Sequence, residues 1–380
     1  MSYTVRDYAD MIDDRVRMDA YQRALAQAVR PGSTVLDLGT GAGYFVLAAC
    51  KLGARHVYGI ETNDAIQVAR ELVKANGLDA RVTLFARRSQ EVVLPERVDV
   101  LVSDLRGVLP LLGHHVASIA DARTRFLRPG GVQIPRRDHV WVVPVEASDA
   151  HAKFLAPPEP HGLDLLPLQR VLLNGFGKAR VPRAGFLAEA QRWATLDYLT
   201  MTDPNVSATC TFAVTRPGTG HGLQIWFDAE LAEGIGFSTA PMGPEAIYGT
   251  AFFPWTEPVT LQTGDELTLR LDAHLVADEY VWRWRTRVTP IDRRRAHTSF
   301  DQSTFFGSSI PSERLARRAA RHRPQLNDAG AVDLFVLQQL AEGIVLEEIA
   351  DALAARWPAR FPARADALAH VGSLSDRYGG

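Results

Sequence analysis

Cysteine is nearly absent from the 380 residues: Cys50 and Cys210 are the whole supply. Two thiols build neither a disulfide framework nor a four-thiolate zinc site, and no metal site is expected. A surplus of either charge is also missing, since 42 Lys+Arg against 44 Asp+Glu leave a net charge of -2. That balance argues against a whole-surface electrostatic grip on nucleic acid. No apolar run approaches the roughly 20 residues of a membrane span, and residues 1–11 lack the apolar core of a signal peptide. The expected setting is cytoplasmic, with no membrane partner. Lysine is scarce as well: beyond Lys51, Lys74, Lys153 and Lys178, every basic side chain other than histidine is arginine.

What is present falls into three parts. Up to about residue 140, strand signals at 34–38, 56–60, 82–85 and 98–102 alternate with helical signals at 44–52 and 65–76. In the second helix Ile66, Ala69, Leu72 and Val73 fall at helical spacing, and Gly77 ends it. Such alternation predicts a doubly wound parallel sheet. From about 140 to 290 the signals are strands, with period-two alternation at 266–271 after a Thr-Gly-Asp turn, so a β-barrel or sandwich is expected there. A third part, rich in arginine at its start, carries three short amphipathic segments: Val332 to Leu340, Leu346 to Leu353 and Leu368 to Leu374. The expected fold class is therefore α/β: a Rossmann-like domain (1–138), a β domain (139–295), and a small helical or winged-helix module (296–380).

The sharpest motif is the strand Val35-Leu36-Asp37-Leu38 running into Gly39-Thr40-Gly41-Ala42-Gly43. Glycines let a ligand approach the backbone closely, and the helix that follows offers unpaired N–H groups. The spacing is GxGxG rather than the dinucleotide GxGxxG. Glu61 ends the next strand about 20 positions later, where a carboxylate can accept both ribose hydroxyls. Together these features favour S-adenosylmethionine (SAM), with S-adenosylhomocysteine as product.

On these residues the chain resembles the protein arginine methyltransferases. The stretch from Met11 to Tyr21 resembles that family's helix before the sheet. So do Leu94-Pro95, the run from Val98 to Asp104, Leu127 to Gly131, Leu223 to Asp228, Gly236 to Pro241, and Trp255. The likeness covers about residues 8–285. It implies that Met11, Arg17, Asp37, Gly39, Thr40, Gly41, Gly43, Glu61, Ser89, Gln90 and Glu91 form the cofactor site. Arg17 would pair with the methionyl carboxylate, and Gln90 would face the adenine amine. It also implies a homodimer formed through an arm at about 165–199.

The acceptor side departs from that family. Two glutamates on one loop hold the substrate guanidinium there. Here Asp104 stands at the first, one methylene shorter, and Gly113 at the second. Arg106 adds a cation to the loop, and the family's Thr-His-Trp reads Phe253-Pro254-Trp255. Asp14, which matches the acid paired with that histidine, has no such partner.

These departures point to an amine on a peptide or on a ribosomally derived natural product. Asp104 would orient the acceptor, His114 would take its proton, and Asp14 completes the catalytic candidates. Two other readings stay open: arginine methylation supported by other carboxylates, and a SAM-binding regulator without turnover. The C-terminal module resembles, on a generic pattern, PqqD-like domains that bind leader peptides along a strand edge.

Overall fold

A computed structural model describes residues 3–155, 162–308 and 311–379. The chain divides into two compact units, 1–308 and 309–380. In the first unit, two N-terminal helices, α1 (Val5–Asp13) and α2 (Arg15–Ala28), precede the parallel sheet. That sheet comprises β1 (Thr34–Leu38), β2 (His56–Glu61), β3 (Val82–Ala86), β4 (Val98–Ser103) and β5 (Leu127–Ile134), in the order β3-β2-β1-β4-β5. The crossovers carry α3 (Tyr44–Lys51), α4 (Ile66–Ala75) and α5 (His115–Phe126). Val35, Leu36, Val57, Ile60, Leu101 and Val102 are all buried, as expected for a sheet covered on both faces. The order reverses beside β1, so the C-terminal ends of β1 and β4 open at the crevice where such folds bind ligands.

After β5 the pairing turns antiparallel. One sheet holds β6 (Arg137–Val145), β7 (Gly177–Lys178), β8 (Gln191–Asp197), β10 (Gly218–Ala232) and β12 (Ala251–Leu261), with β11 (Ile235–Ser238) paired to β10. A second holds β9 (Val206–Ala213), β13 (Glu266–Val276), β14 (Glu279–Thr289) and β15 (Thr298–Ser303). Between β6 and β7 lie two short helices, α6 (Ser148–Ala152) and α7 (Leu166–Leu172). The alternation read at 266–271 is real: Leu267, Leu269 and Leu271 are buried and register with Val288, Thr286 and Trp284 on β14. The parallel sheet and the barrel share one apolar core running from Met18 to Phe300.

The second unit contains α8 (Ser312–Arg317) and then α9 (Asp328–Ala341), α10 (Leu346–Arg356) and α11 (Arg364–Tyr378). Val332, Val336, Ile349, Leu353 and Val371 make its separate core. Among its described residues there is no strand, so the module is helical rather than winged, and no strand edge is on offer to a leader peptide. No helix of the described residues is long and apolar enough to cross a membrane.

Candidate active site

β1 ends in a turn where Gly39 and Gly41 both take positive φ, +80° and +52°. A side chain at Gly39 would run into Leu105, and a Cβ at Gly41 would lie 2.5 Å from the ring of Tyr8. The turn is therefore cramped as well as left-handed, and only glycine fits. A cavity of about 320 Å³ lies against it, lined by Gly39, Ile60, Glu61, Ser89, Gln90 and His114 among others. A narrow recess of about 50 Å³ also touches Gly39 and is lined by Tyr8, Met11, Arg17, Tyr44 and Asp104.

Glu61 is drawn onto the turn. One carboxylate oxygen accepts from the Gly41 N–H at 2.8 Å, the other from the N–H groups of Thr62 and Asn63. Asp37, fully buried at the end of β1, accepts from the Thr40 hydroxyl at 2.7 Å, and its Oδ1 has no partner among the described residues. Burial, only partly offset by that hydrogen bond, pushes its carboxyl up to about 7. Ser89 is buried, and Gln90 is exposed on the cavity wall. Glu91 is exposed and lines neither space.

Arg17, on the first turn of α2, reaches across to the end of β4. Its Nε donates to Asp104 Oδ2 at 2.5 Å and to the Tyr248 hydroxyl at 3.1 Å, and its Nη1 to the Met11 carbonyl at 2.9 Å. Among the described residues its Nη2 donates to nothing, which leaves it for an anion entering the recess.

These groups fit SAM: an Arg17 N–H without a partner among the described residues for the methionyl carboxylate, a glycine turn for close approach, and for the ribose the Glu61 carboxylate, which three backbone N–H groups hold in place. Asp37 lies behind the turn and lines neither space.

The acceptor side is already full. Asp104 Oδ2 also accepts from the Tyr248 hydroxyl at 2.5 Å, and Oδ1 accepts from Arg106 Nη1 at 3.1 Å. Arg106 forks onto Asp138, Nε to Oδ2 at 2.7 Å and Nη2 to Oδ1 at 2.8 Å, and gives its other terminal nitrogen to the Tyr21 hydroxyl. Tyr198 donates to Asp138 at 2.6 Å, and the His115 ring nitrogen lies 3.0 Å from the Tyr198 hydroxyl. Burial opposes the charge on Asp104, but Arg17 and Arg106 outweigh it and hold the carboxyl at about 2. Burial, aided by Arg106, lowers His115 to about 3, so its imidazole is neutral.

Two of the three catalytic candidates lie elsewhere. His114 sits on the cavity wall with Gln90, its Nε2 2.8 Å from Asp278 Oδ1, and is not brought to Asp104. Asp14 caps α2 through the Arg17 N–H and accepts from the Ile247 N–H at 2.8 Å. It borders a separate cavity of about 820 Å³ with Asp10, Asp13, Lys178 and Glu245. Pro254, at the absent histidine's position, is a β12 residue whose carbonyl accepts from Trp284. Sequence reasoning missed Tyr248, Asp138, Tyr198 and Tyr8. The Arg106 cation was legible on the acceptor loop, but its partner Asp138 lies 32 positions on, in β6. Tyr248 arrives from the loop between β11 and β12, which no spacing rule connects to β4.

Comparison with known proteins agrees with this layout. Residues 21–135 match the family model of ribosomal protein L11 methyltransferase (PrmA). The chain is similar to a structure of Arabidopsis thaliana protein arginine methyltransferase 10, with a TM-score of 0.68 and 25% identity over 79% of this chain and 97% of that one. A Trypanosoma brucei PRMT1 enzyme-prozyme heterotetrameric complex with AdoHcy gives a TM-score of 0.70 at 20% identity, covering 78% and 97%.

The fold is that of the protein arginine methyltransferases.

Among curated relatives, protein arginine N-methyltransferase PRMT10 of Arabidopsis thaliana is 40% identical over 146 residues, 38% of either chain. Probable histone-arginine methyltransferase CARM1 of Oryza sativa subsp. indica is 31% identical over 288 residues, 70% of this chain. The chain spans 38% and 54% of these two relatives' lengths.

Proposed function

We propose that the protein is a SAM-dependent methyltransferase of the arginine-methyltransferase type whose acceptor is an amine on a peptide or peptide-derived natural product, not a guanidinium. The observation that carries this reading is the state of Asp104. Three of its roughly four lone-pair sites are taken, by Arg17, Arg106 and Tyr248, and Gly113 brings no second carboxylate. A planar cation fixed by two carboxylates needs a fork, and none is free here.

When bound, SAM supplies an activated methyl group on a sulfonium with a good leaving group. The chain's part is to hold the cofactor, exclude water and align a neutral nitrogen. Arg17 Nη2 is placed to pair with a carboxylate, Glu61 with ribose hydroxyls, and Ser89 and Gln90 with the base. Asp37 offers an unpaired acceptor near the glycine turn. Met11 and Tyr8, brought in by α1, close the recess from the N-terminal side. Asp104, kept ionised, orients the acceptor through whichever lone pair the network leaves open.

A homodimer is part of this reading. It is supported by α7 in the expected arm, where Leu166, Leu168 and Val171 are exposed. The helical unit at 309–380 is the proposed place for a leader peptide, held against helices rather than added to a strand. We place the reaction in the cytoplasm.

Genuine arginine methylation remains the second reading, favoured by the names of the curated relatives. The deciding experiment is mass analysis of peptide arrays incubated with isotopically labelled SAM. Label on amino groups with arginines unmodified is the expected result. Robust dimethylarginine overturns the amine acceptor, and tight SAM binding without any turnover leaves a binding protein.

A further inference from the structure

We infer that the acceptor enters this site without a charge, and that Arg106 is the residue that enforces it. The inference rests on the methyltransferase reading above and names the class of acceptor within it.

The argument is a balance of formal charges. Two arginines, Arg17 and Arg106, face two acids, Asp104 and Asp138, and all four side chains are at most 9% exposed. Arg106 is held as a substrate guanidinium would be. Both oxygens of Asp138 receive it in a fork, Asp104 receives a third N–H, and the rings of Phe227 and Phe237 lie 5.7 and 6.0 Å from its central carbon. The other titratable groups packed on this cluster, Tyr21, Tyr198, Tyr248 and His115, are neutral, because burial raises the phenols and lowers the imidazole. Within this cluster the two acids are therefore matched by two arginines of the chain, and Asp37, coupled to Arg17 and Asp104 and raised to about 7, adds only a partial negative charge near neutral pH.

A guanidinium or ammonium brought in from outside would be a third cation among two acids. It would lose its hydration and gain no counter-charge, which burial in a low dielectric makes unfavourable. A second glutamate would have supplied that counter-charge, and the loop has Gly113 there. The acceptor class that suits the balance is a nitrogen uncharged near neutral pH. Among peptide groups an α-amine, with an ordinary pKa near 8, qualifies far better than a lysine near 10.4 or an arginine.

The test compares two short peptides of one sequence that differ only in arginine against citrulline, its uncharged isostere. Binding is measured by calorimetry to protein saturated with S-adenosylhomocysteine. Wild type is expected to bind the arginine peptide no better than the citrulline peptide. Arg106→Gln leaves one acid unmatched and should shift the preference toward arginine by tenfold or more. The double variant R106Q/D138N restores the balance and should lose that gain. Wild type preferring arginine tenfold overturns the inference, as does an R106Q ratio equal to that of wild type or no peptide binding by R106Q.

Gly113→Glu guards against a folding failure. A Cβ there meets only the Asp278 carbonyl, at 3.8 Å, and the backbone is left-handed at φ +46°, a conformation that costs a non-glycine residue little beside the loss of a buried ion pair; Arg106 and its partners stay unaltered. If R106Q no longer binds S-adenosylhomocysteine, G113E must show the same tenfold shift, and an unchanged ratio overturns the inference. Failure of wild type to bind S-adenosylhomocysteine strikes the cofactor reading itself. Normal binding with arginine preferred strikes only this inference.

Discussion

The two sides of the β1–β4 crevice are built on opposite plans. On the cofactor side two polar groups stand incomplete among the described residues, Asp37 Oδ1 and Arg17 Nη2, while Glu61 already accepts three backbone N–H groups. On the acceptor side the charged groups are matched, with Asp104, Arg106, Asp138, Tyr198 and Tyr248 joined in one buried network, and among the described residues only the neutral His115 Nδ1 and Ser103 Oγ beside it lack a partner. Unmatched groups in a folded protein cost stability and signal a ligand, whereas matched groups shape a site by excluding what does not fit. The same fold thus keeps a ready cofactor half beside an acceptor half whose carboxylates are spent on the chain's own arginines.

The largest expected effect tests the matched half. Asp138→Ala leaves the Arg106 guanidinium buried beside one acid that it shares with Arg17. Removing one partner of such a pair costs about 3–5 kcal/mol, to be read from denaturant unfolding. Replacing both partners with apolar residues, R106M/D138L, should return most of that loss. If D138A unfolds at the wild-type midpoint, the network is ornamental and the contrast between the halves fails.

Legibility in the sequence follows the same division. Strands β1, β2 and β4, helices α3 and α4, and the glycine turn are local patterns, and each was readable within a residue or two because apolar spacing and glycine conformation act over short distances. The helices α9, α10 and α11 were readable for the same reason. Asp104 was legible as a position but not as a state. Burial opposes its ionisation, and Arg17, 87 positions away, Arg106, two positions away, and Tyr248, 144 positions away, together hold it; only Arg106 is local. Nothing local in the sequence separates His114 from its neighbour His115. The fold turns His115 inward against Tyr198 and leaves His114 at the surface. Strands β9, β14 and β15 were not singled out: β9 and β15 are edges, and β14 carries arginines on its outer face.

The next effect tests the unmatched half. The Asp37 carboxyl is raised in the folded protein to about 7, mainly by burial. Between its ordinary value and about 7 the folded state binds the extra proton, so stability falls as pH rises through that window and levels off above it. Asp37→Asn removes this dependence. Its advantage over wild type should grow between about pH 4 and 7, reaching up to about 4 kcal/mol, and then stay flat. A pH-independent difference between the two proteins would show that Asp37 is already satisfied and is not waiting for a ligand.

A smaller effect comes from the turn itself. Gly39→Val places a β-branched side chain at φ +80° and drives it into Leu105. S-adenosylhomocysteine affinity should fall at least tenfold, while the acceptor network, anchored on β4 and β6, keeps its contribution to stability. Equal affinity in calorimetry would remove the glycine cradle from the cofactor site.

The smallest effect sharpens what matching means. Arg55 and Glu96 form a bridge at 2.7 Å, the same length as the Arg106–Asp138 contact. Their side chains are 57% and 37% exposed, whereas the inner pair is completely buried. The shortest contact is equal in the two pairs, although Arg55 uses one nitrogen and Arg106 a two-nitrogen fork, and the larger difference is hydration. Water screens the outer pair in both its paired and broken states, so Glu96→Ala should cost less than about 1 kcal/mol and less still in high salt. The inner pair should keep its several-kcal/mol penalty at any ionic strength, because ions do not reach it. If the two losses prove similar in size and in salt response, burial is not what gives the acceptor network its weight, and the arginines there would be free to make way for a substrate.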